Sequence, residues 1–221
     1  MKAFKEIQFK IRNEIIQEDL EVHKKFLENY SIDVDKFSFE MAKAFQNWKS
    51  FDDTIEGEKE KAAVSAILYS AITLAISSMK LLLSGNSVAA GNTQRQALES
   101  IAMSFLCSDN SLDFLNKFMN QQFSSNKAVK YVLKHHQKLN LNRKALQILE
   151  QSYKFYHNYS HLTYMTISSF VSFSKEGLYV GASFDEEKLS EYQKEVEARV
   201  SLASTFSNVV DGVKLNVSKW C

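Results

Sequence analysis

Not one proline interrupts this chain, and only six of its 221 residues are glycine. Proline removes a backbone donor and clashes with the preceding helical turn, and glycine weakens a helix interior by about 1 kcal/mol against alanine. Their scarcity over such a length predicts long, uninterrupted helices. Hydrophobic residues at 45% and charged residues at 24% are ordinary for a globular chain, and the length suits one domain with a well-buried core. The expectation is therefore a single domain over 1–221, all-α in the main. It is a multi-helix bundle around a central apolar helix, with a small β-hairpin near 168–184.

Apolar spacing lays out the elements. Phe4, Ile7, Ile11, Ile15, Val22 and Phe26 predict a first helix over 2–28. Residues 31–37 read as a loop, and Ser38 as the cap of a short helix carrying Phe39, Ala42, Phe45 and Trp48. After a linker over 52–57 comes the central helix, 58–83, uncharged over 62–79. That run approaches the length of a membrane span. Its serines and alanines, and Lys80 directly after it, fit close packing among other helices better, so no membrane association is expected. Gly85 suits a helix stop and Asn86 or Ser87 a new cap, with the next helix running to about Leu106. Shorter helices follow 108–111, the second over 126–139. A long helix then carries Leu146, Leu149, Tyr153, Tyr156, Ser160 and Thr163 on one face. Around Lys175-Glu176-Gly177 helical periodicity fails and a hairpin is predicted. Asp185 caps a last helix reaching Val217.

Two of these helices place ionisable groups where apolar ones are expected. Arg95 and Glu99 share a face with Leu98, Ala102 and Phe105, spaced to pair directly. Partial burial of such a pair demands further polar partners. Tyr156, Ser160 and His161 offer them, so Arg95, Glu99, Tyr156, Ser160 and His161 are expected to meet across two packed helices as a candidate catalytic or binding centre. His157 and His161 have the spacing of a helical metal chelate, but a zinc site needs at least three protein ligands, and no third is near in sequence. No metal is expected.

The segment Leu83-Ser84-Gly85-Asn86-Ser87-Val88-Ala89-Ala90, followed by Arg95 and Glu99 and later by Tyr156, Ser160 and His161, resembles a set of uncharacterised bacterial helical proteins. The resemblance covers 58–217 and implies no particular activity. The leading expectation is therefore a binding or interaction module with its polar centre at Arg95, Glu99, Tyr156, Ser160 and His161, and a ribonuclease is the alternative. In those proteins the histidine stands a few residues beyond the serine, where this chain has Thr163 and Tyr164. The run His157-Asn158-Tyr159-Ser160-His161 is also similar to the hallmark of the HEPN superfamily of helical bundles, with the leading arginine absent. That likeness implies a metal-independent ribonuclease of a toxin or phage-defence system. In it His161 would act as general acid or base, and Arg95 would stand in for the missing arginine.

Charge is unevenly laid out although the net charge is only +1. No acidic residue occurs over 114–149, a stretch holding Lys127, Lys130, Lys134 and Lys138 on one expected helical face, with Arg143 and Lys144 beyond. Such a face suits RNA or another phosphate-bearing ligand. Asp185, Glu186, Glu187, Glu191, Glu195 and Glu197 make the start of the last helix acidic, which would suit the basic face of a second copy in a homo-oligomer. No glycine-rich phosphate loop, dinucleotide fingerprint, G-x-S-x-G elbow or CxxC is present, so no cofactor is expected. Cys107 and Cys221 cannot build a disulfide framework, and a reducing cytoplasm is the expected setting.

Overall fold

The computed structural model describes residues 2–16, 19–175 and 177–220. Its helices are α1 (Lys2–Ile16), α2 (Leu20–Asp52), α3 (Lys59–Leu83), α4 (Ser87–Cys107), α5 (Phe114–Met119), α6 (Ala128–Lys134), α7 (Arg143–His157), α8 (Tyr164–Ser169) and α9 (Leu189–Val217). Two short strands, β1 (Val171–Ser172) and β2 (Gly177–Leu178), pair antiparallel between α8 and α9. The chain is thus an all-α multi-helix bundle with a small hairpin.

The core is centred on α2, α3, α4 and α9, and α5, α6 and α7 add Phe114, Leu115, Val129, Val132 and Leu146 to it. Tyr30 of α2 donates to Leu189 O at the start of α9, and Asn47 near the other end donates to Ser207 O. The two longest helices therefore run parallel. α3 returns antiparallel to α2, and α4 antiparallel to α3. The α3–α4 turn is a Schellman closure: Asn86 N donates to Leu81 O and Gly85 N to Leu82 O, with Gly85 at φ +76°. Gly85 is doubly required, because a Cβ there would stand 2.6 Å from Val22 Cγ1 and 2.7 Å from Ser183 N. Apolar α3 holds the centre with Val64, Leu68, Ala71, Ile72 and Ala75 buried, and α4 is buried over an even larger share of its length. Among the described residues α3 is the one helix long and apolar enough to cross a membrane.

Several expected boundaries are corrected. The first helix does not run over 2–28. α1 ends at Ile16 and α2 starts afresh at Leu20, with Asp19 accepting Val22 N as its cap. Gln17 and Glu18 lie outside the described residues. The loop over 31–37 and the cap at Ser38 do not exist: α2 passes through both, and Ser38 Oγ donates to Asp35 O within the helix. The cause is one continuous stripe. Phe26, Tyr30, Phe37, Met41, Ala44 and Phe51 are all buried, and this packing outweighs the weak helix propensity of Ser31, Asp33 and Asp35. The apolar stripe of α1 stays exposed at Phe4, Ile7, Ile11 and Ile15.

The helix expected over 126–139 is regular only as α6. It continues in turns to a second Schellman closure, with Leu141 N on His136 O, Asn140 N on Gln137 O and Asn140 at φ 54°. The hairpin is shorter than 168–184, since Ser168 and Ser169 belong to α8. Strands this short need outside support. Lys188 Nζ donates to Ser168 O and Val171 O at 2.9 and 2.6 Å, and Asp185 accepts Phe173 N and Glu187 N. Phe184 packs edge-on to Phe26 and beside Tyr192, tying the segment to α2 and α9. Glu176 of the expected turn, and Cys221, lie outside the described residues.

Candidate functional site

On α4, Glu99 Oε1 accepts Arg95 Nε at 3.0 Å and Nη2 at 2.9 Å, while its Oε2 accepts Ser125 Oγ at 2.7 Å. The two side chains are 18% and 7% exposed, so the pair is more than a solvated surface contact. The Arg95 guanidinium also lies over the Tyr153 ring at 5.8 Å. Burial, and after it the Glu99 charge, raises the Tyr153 pKa. The Arg95 donors are thus turned toward a carboxylate, which limits what they can offer a ligand. Arg95→Ala is expected to lower unfolding free energy by about 1.5–3 kcal/mol, the range for hydrogen bonds to a charged group. A denaturant titration checks it, and a loss below about 0.5 kcal/mol would mark the pair as dispensable to the fold.

The other candidates do not join this pair. The helix carrying them ends at His157, and a 3₁₀ turn covers Asn158–Ser160. Local hydroxyls take the carbonyls a longer helix would use. Ser160 Oγ donates to His157 O, and Thr163 and Thr166 Oγ1 both donate to Asn158 O. Thr163 accepts Thr166 N and starts α8. Ser160 and Thr163 therefore leave the expected face. His161 is exposed, its ring 4.6 Å from that of His157 in an edge-on contact. Among the described residues no hydrogen bond or ion pair links Ser160 or His161 to Arg95 or Glu99, and no group of three His, Cys, Asp or Glu could hold a metal ion.

Tyr156 belongs to a second polar centre that sequence reasoning missed. Arg199 of α9 is 1% exposed. Its Nη1 donates to Glu195 Oε2 at 2.6 Å and to Glu195 O at 2.8 Å, and its Nε to Ser78 Oγ at 2.9 Å. Tyr156 and Tyr159 donate to the two Glu195 oxygens, each at 3.1 Å. Burial drives both tyrosine pKa values well up. Burial also works against the Arg199 charge, but Tyr156 and Glu195 outweigh it and hold the guanidinium protonated. Arg199 lies on the stripe Tyr192, Val196, Ala203 and Phe206. Like Arg95, it is a cation among apolar neighbours with a carboxylate one turn away, so the signal that marks one arginine was present for both. These bonds run between Ser78 of α3, Tyr156 of α7 and Glu195 and Arg199 of α9, so the centre holds the three helices together.

Tyr159 sits against Gly91 of α4, where a Cβ would fall 2.3 Å from the ring. Cys107 is buried, which pushes its thiol up to about 12 and keeps it protonated and unreactive.

The basic stretch makes an open feature. Lys130, Lys134, Arg143, Tyr131, Leu133 and His136 line a surface groove of about 550 Å³. Lys127 and Lys138 are exposed beside it, in the turns flanking α6 and not on one regular helix. None of Lys127, Lys130, Lys134, Lys138 or Arg143 is ion-paired within the described residues. Lys134 stands over the Tyr131 ring at 5.9 Å. Burial, and then the Lys134 and Lys138 charges, holds the His135 imidazole below its ordinary pKa.

No family model, curated protein or solved structure matches this chain.

Proposed function

We propose that this protein is a non-catalytic binding module that holds the backbone of single-stranded RNA along the face formed by Lys127, Lys130, Lys134, Lys138 and Arg143. The observation that carries the reading is the groove of about 550 Å³ whose cations have no carboxylate partner and whose wall includes an aromatic ring. Unneutralised cations attract phosphates, and a ring beside them offers a base a surface to stack on. The candidate catalytic groups support binding over catalysis, because Arg95 is paired with Glu99 and Tyr156 with Glu195 and Arg199.

The test titrates the protein into a fluorescent single-stranded RNA oligonucleotide at several salt concentrations. Lys130→Glu with Lys134→Glu is expected to weaken binding at least tenfold. It should also reduce the slope of log affinity against log salt by about 0.7 for each phosphate no longer neutralised. Wild-type protein that fails to bind RNA at low salt would end the reading. The same reactions are run on gels, with and without chelator, beside His161→Ala. RNA cleavage that survives chelator and is lost in His161→Ala would replace this reading with the HEPN-like ribonuclease.

A further inference from the structure

Away from the basic groove, α4, α7 and α9 enclose a cleft of about 460 Å³. Leu98, Leu146, Leu149 and Leu202 supply much of its wall, and no charged residue lines it. At its edge on α4 is Gln94, 2% exposed, whose Oε1 is the one buried side-chain oxygen or nitrogen among the described residues without a hydrogen-bond partner. Buried polar groups in folded proteins are nearly always satisfied, and an exception calls for an explanation. A largely apolar cleft of this size with one buried, unspent polar group has the make-up of a small-molecule site.

We infer that the cleft between α4, α7 and α9 binds a neutral, largely apolar small molecule whose hydroxyl or N–H group donates to Gln94 Oε1. The ligand is neutral because the wall carries no counter-charge, and an ion would lose its hydration there without compensation. Arg199 and Glu195, next to the Tyr156 end of the cleft, are spent on each other. A donor is required because the orphaned atom is an acceptor. The ligand is small because Gln94 is almost wholly enclosed, beyond the reach of a docking helix. Tyr156 borders the cleft while its hydroxyl serves Glu195. Asn142, Ser201, Thr205 and Asn208 also line it but are exposed to water, and Ser152 is partly so, which makes Gln94 the buried polar anchor.

The experiment uses two matched pairs of probes, 2-naphthol against 2-methoxynaphthalene and indole against N-methylindole, titrated by calorimetry and ligand-observed NMR. The donor-bearing member of at least one pair is expected to bind ten times more tightly than its methylated partner. Gln94→Leu should erase that difference. It should also melt no lower than wild type, since an apolar group of similar shape in place of an unpaired acceptor is neutral or stabilising. Ala145→Phe, at an exposed position on the cleft wall, should fill the space and abolish binding in a folded protein. Failure of both donor-bearing probes to bind wild type overturns the inference. So does equal binding within each pair, or binding unchanged by Ala145→Phe. RNA affinity should be the same in Gln94→Leu and wild type, so this outcome is separable from that of the basic groove.

Discussion

Arg199→Met is expected to lower the unfolding free energy by about 3–5 kcal/mol, the cost of leaving one member of a buried ion pair uncompensated. In a chain of this length that is a fall in melting temperature of roughly 6–20 °C. The charge left behind belongs to Glu195, 13% exposed and still the acceptor for Tyr156 and Tyr159. Adding Glu195→Gln removes that charge and keeps an oxygen for one tyrosine. The double variant should therefore be more stable than the sum of the two single losses allows, by about 0.5–3 kcal/mol. Urea titrations of the four proteins measure the coupling. An Arg199→Met loss below about 1 kcal/mol would show that the centre is hydrated and not a structural pin.

Arg199 carries the same signal as Arg95, one helical turn from a glutamate on an apolar stripe, but its surroundings obscure it. Glu186 and Glu187 just ahead of α9, and Glu191 and Glu197 within it, make the stretch look like a solvated acidic face, and the packing of α3 and α7 shows which side is covered. The stop at Gly85, the extent of α3, the end of α9 and the site of the hairpin were all legible, because glycine, capping residues and failing periodicity act locally. The continuity of α2 through Ser31 to Phe37 was not. Local propensity there opposes helix, and the deciding contacts come from residues far along the chain. The end of α7 was hidden for the opposite reason. Ser160 and Thr163 fit the helical stripe, and only the capture of carbonyls by their hydroxyls ends it. The candidate site divides along that line. The Arg95–Glu99 pair was readable from spacing within one helix, whereas its separation from Tyr156 depends on which neighbour α7 faces.

Gly91→Ala should destabilise the protein even though alanine is the better helix former. Within α4 the exchange gains about 1 kcal/mol from propensity. Against that, the new methyl would lie 2.3 Å from Tyr159 Cδ2 and 2.4 Å from Cγ. Those atoms are at the root of the ring, so a small swing of its far end gives no relief. Moving the whole side chain pulls its hydroxyl from Glu195, at 3.1 Å, and disturbs the turn that carries His157 and His161. Forcing extra volume into a packed contact costs about 1–3 kcal/mol, and breaking the hydrogen bond to a carboxylate adds about 1.5–3 kcal/mol. The net expectation is a loss of about 1.5–5 kcal/mol, read by thermal and urea unfolding. In a Tyr159→Ala background the obstacle is gone and only the propensity gain remains, so Gly91→Ala should there raise stability. The same substitution reversing sign with the identity of residue 159 is the result to seek. If it is destabilising to the same degree in both backgrounds, the contact with Tyr159 is not what requires glycine at this point of α4.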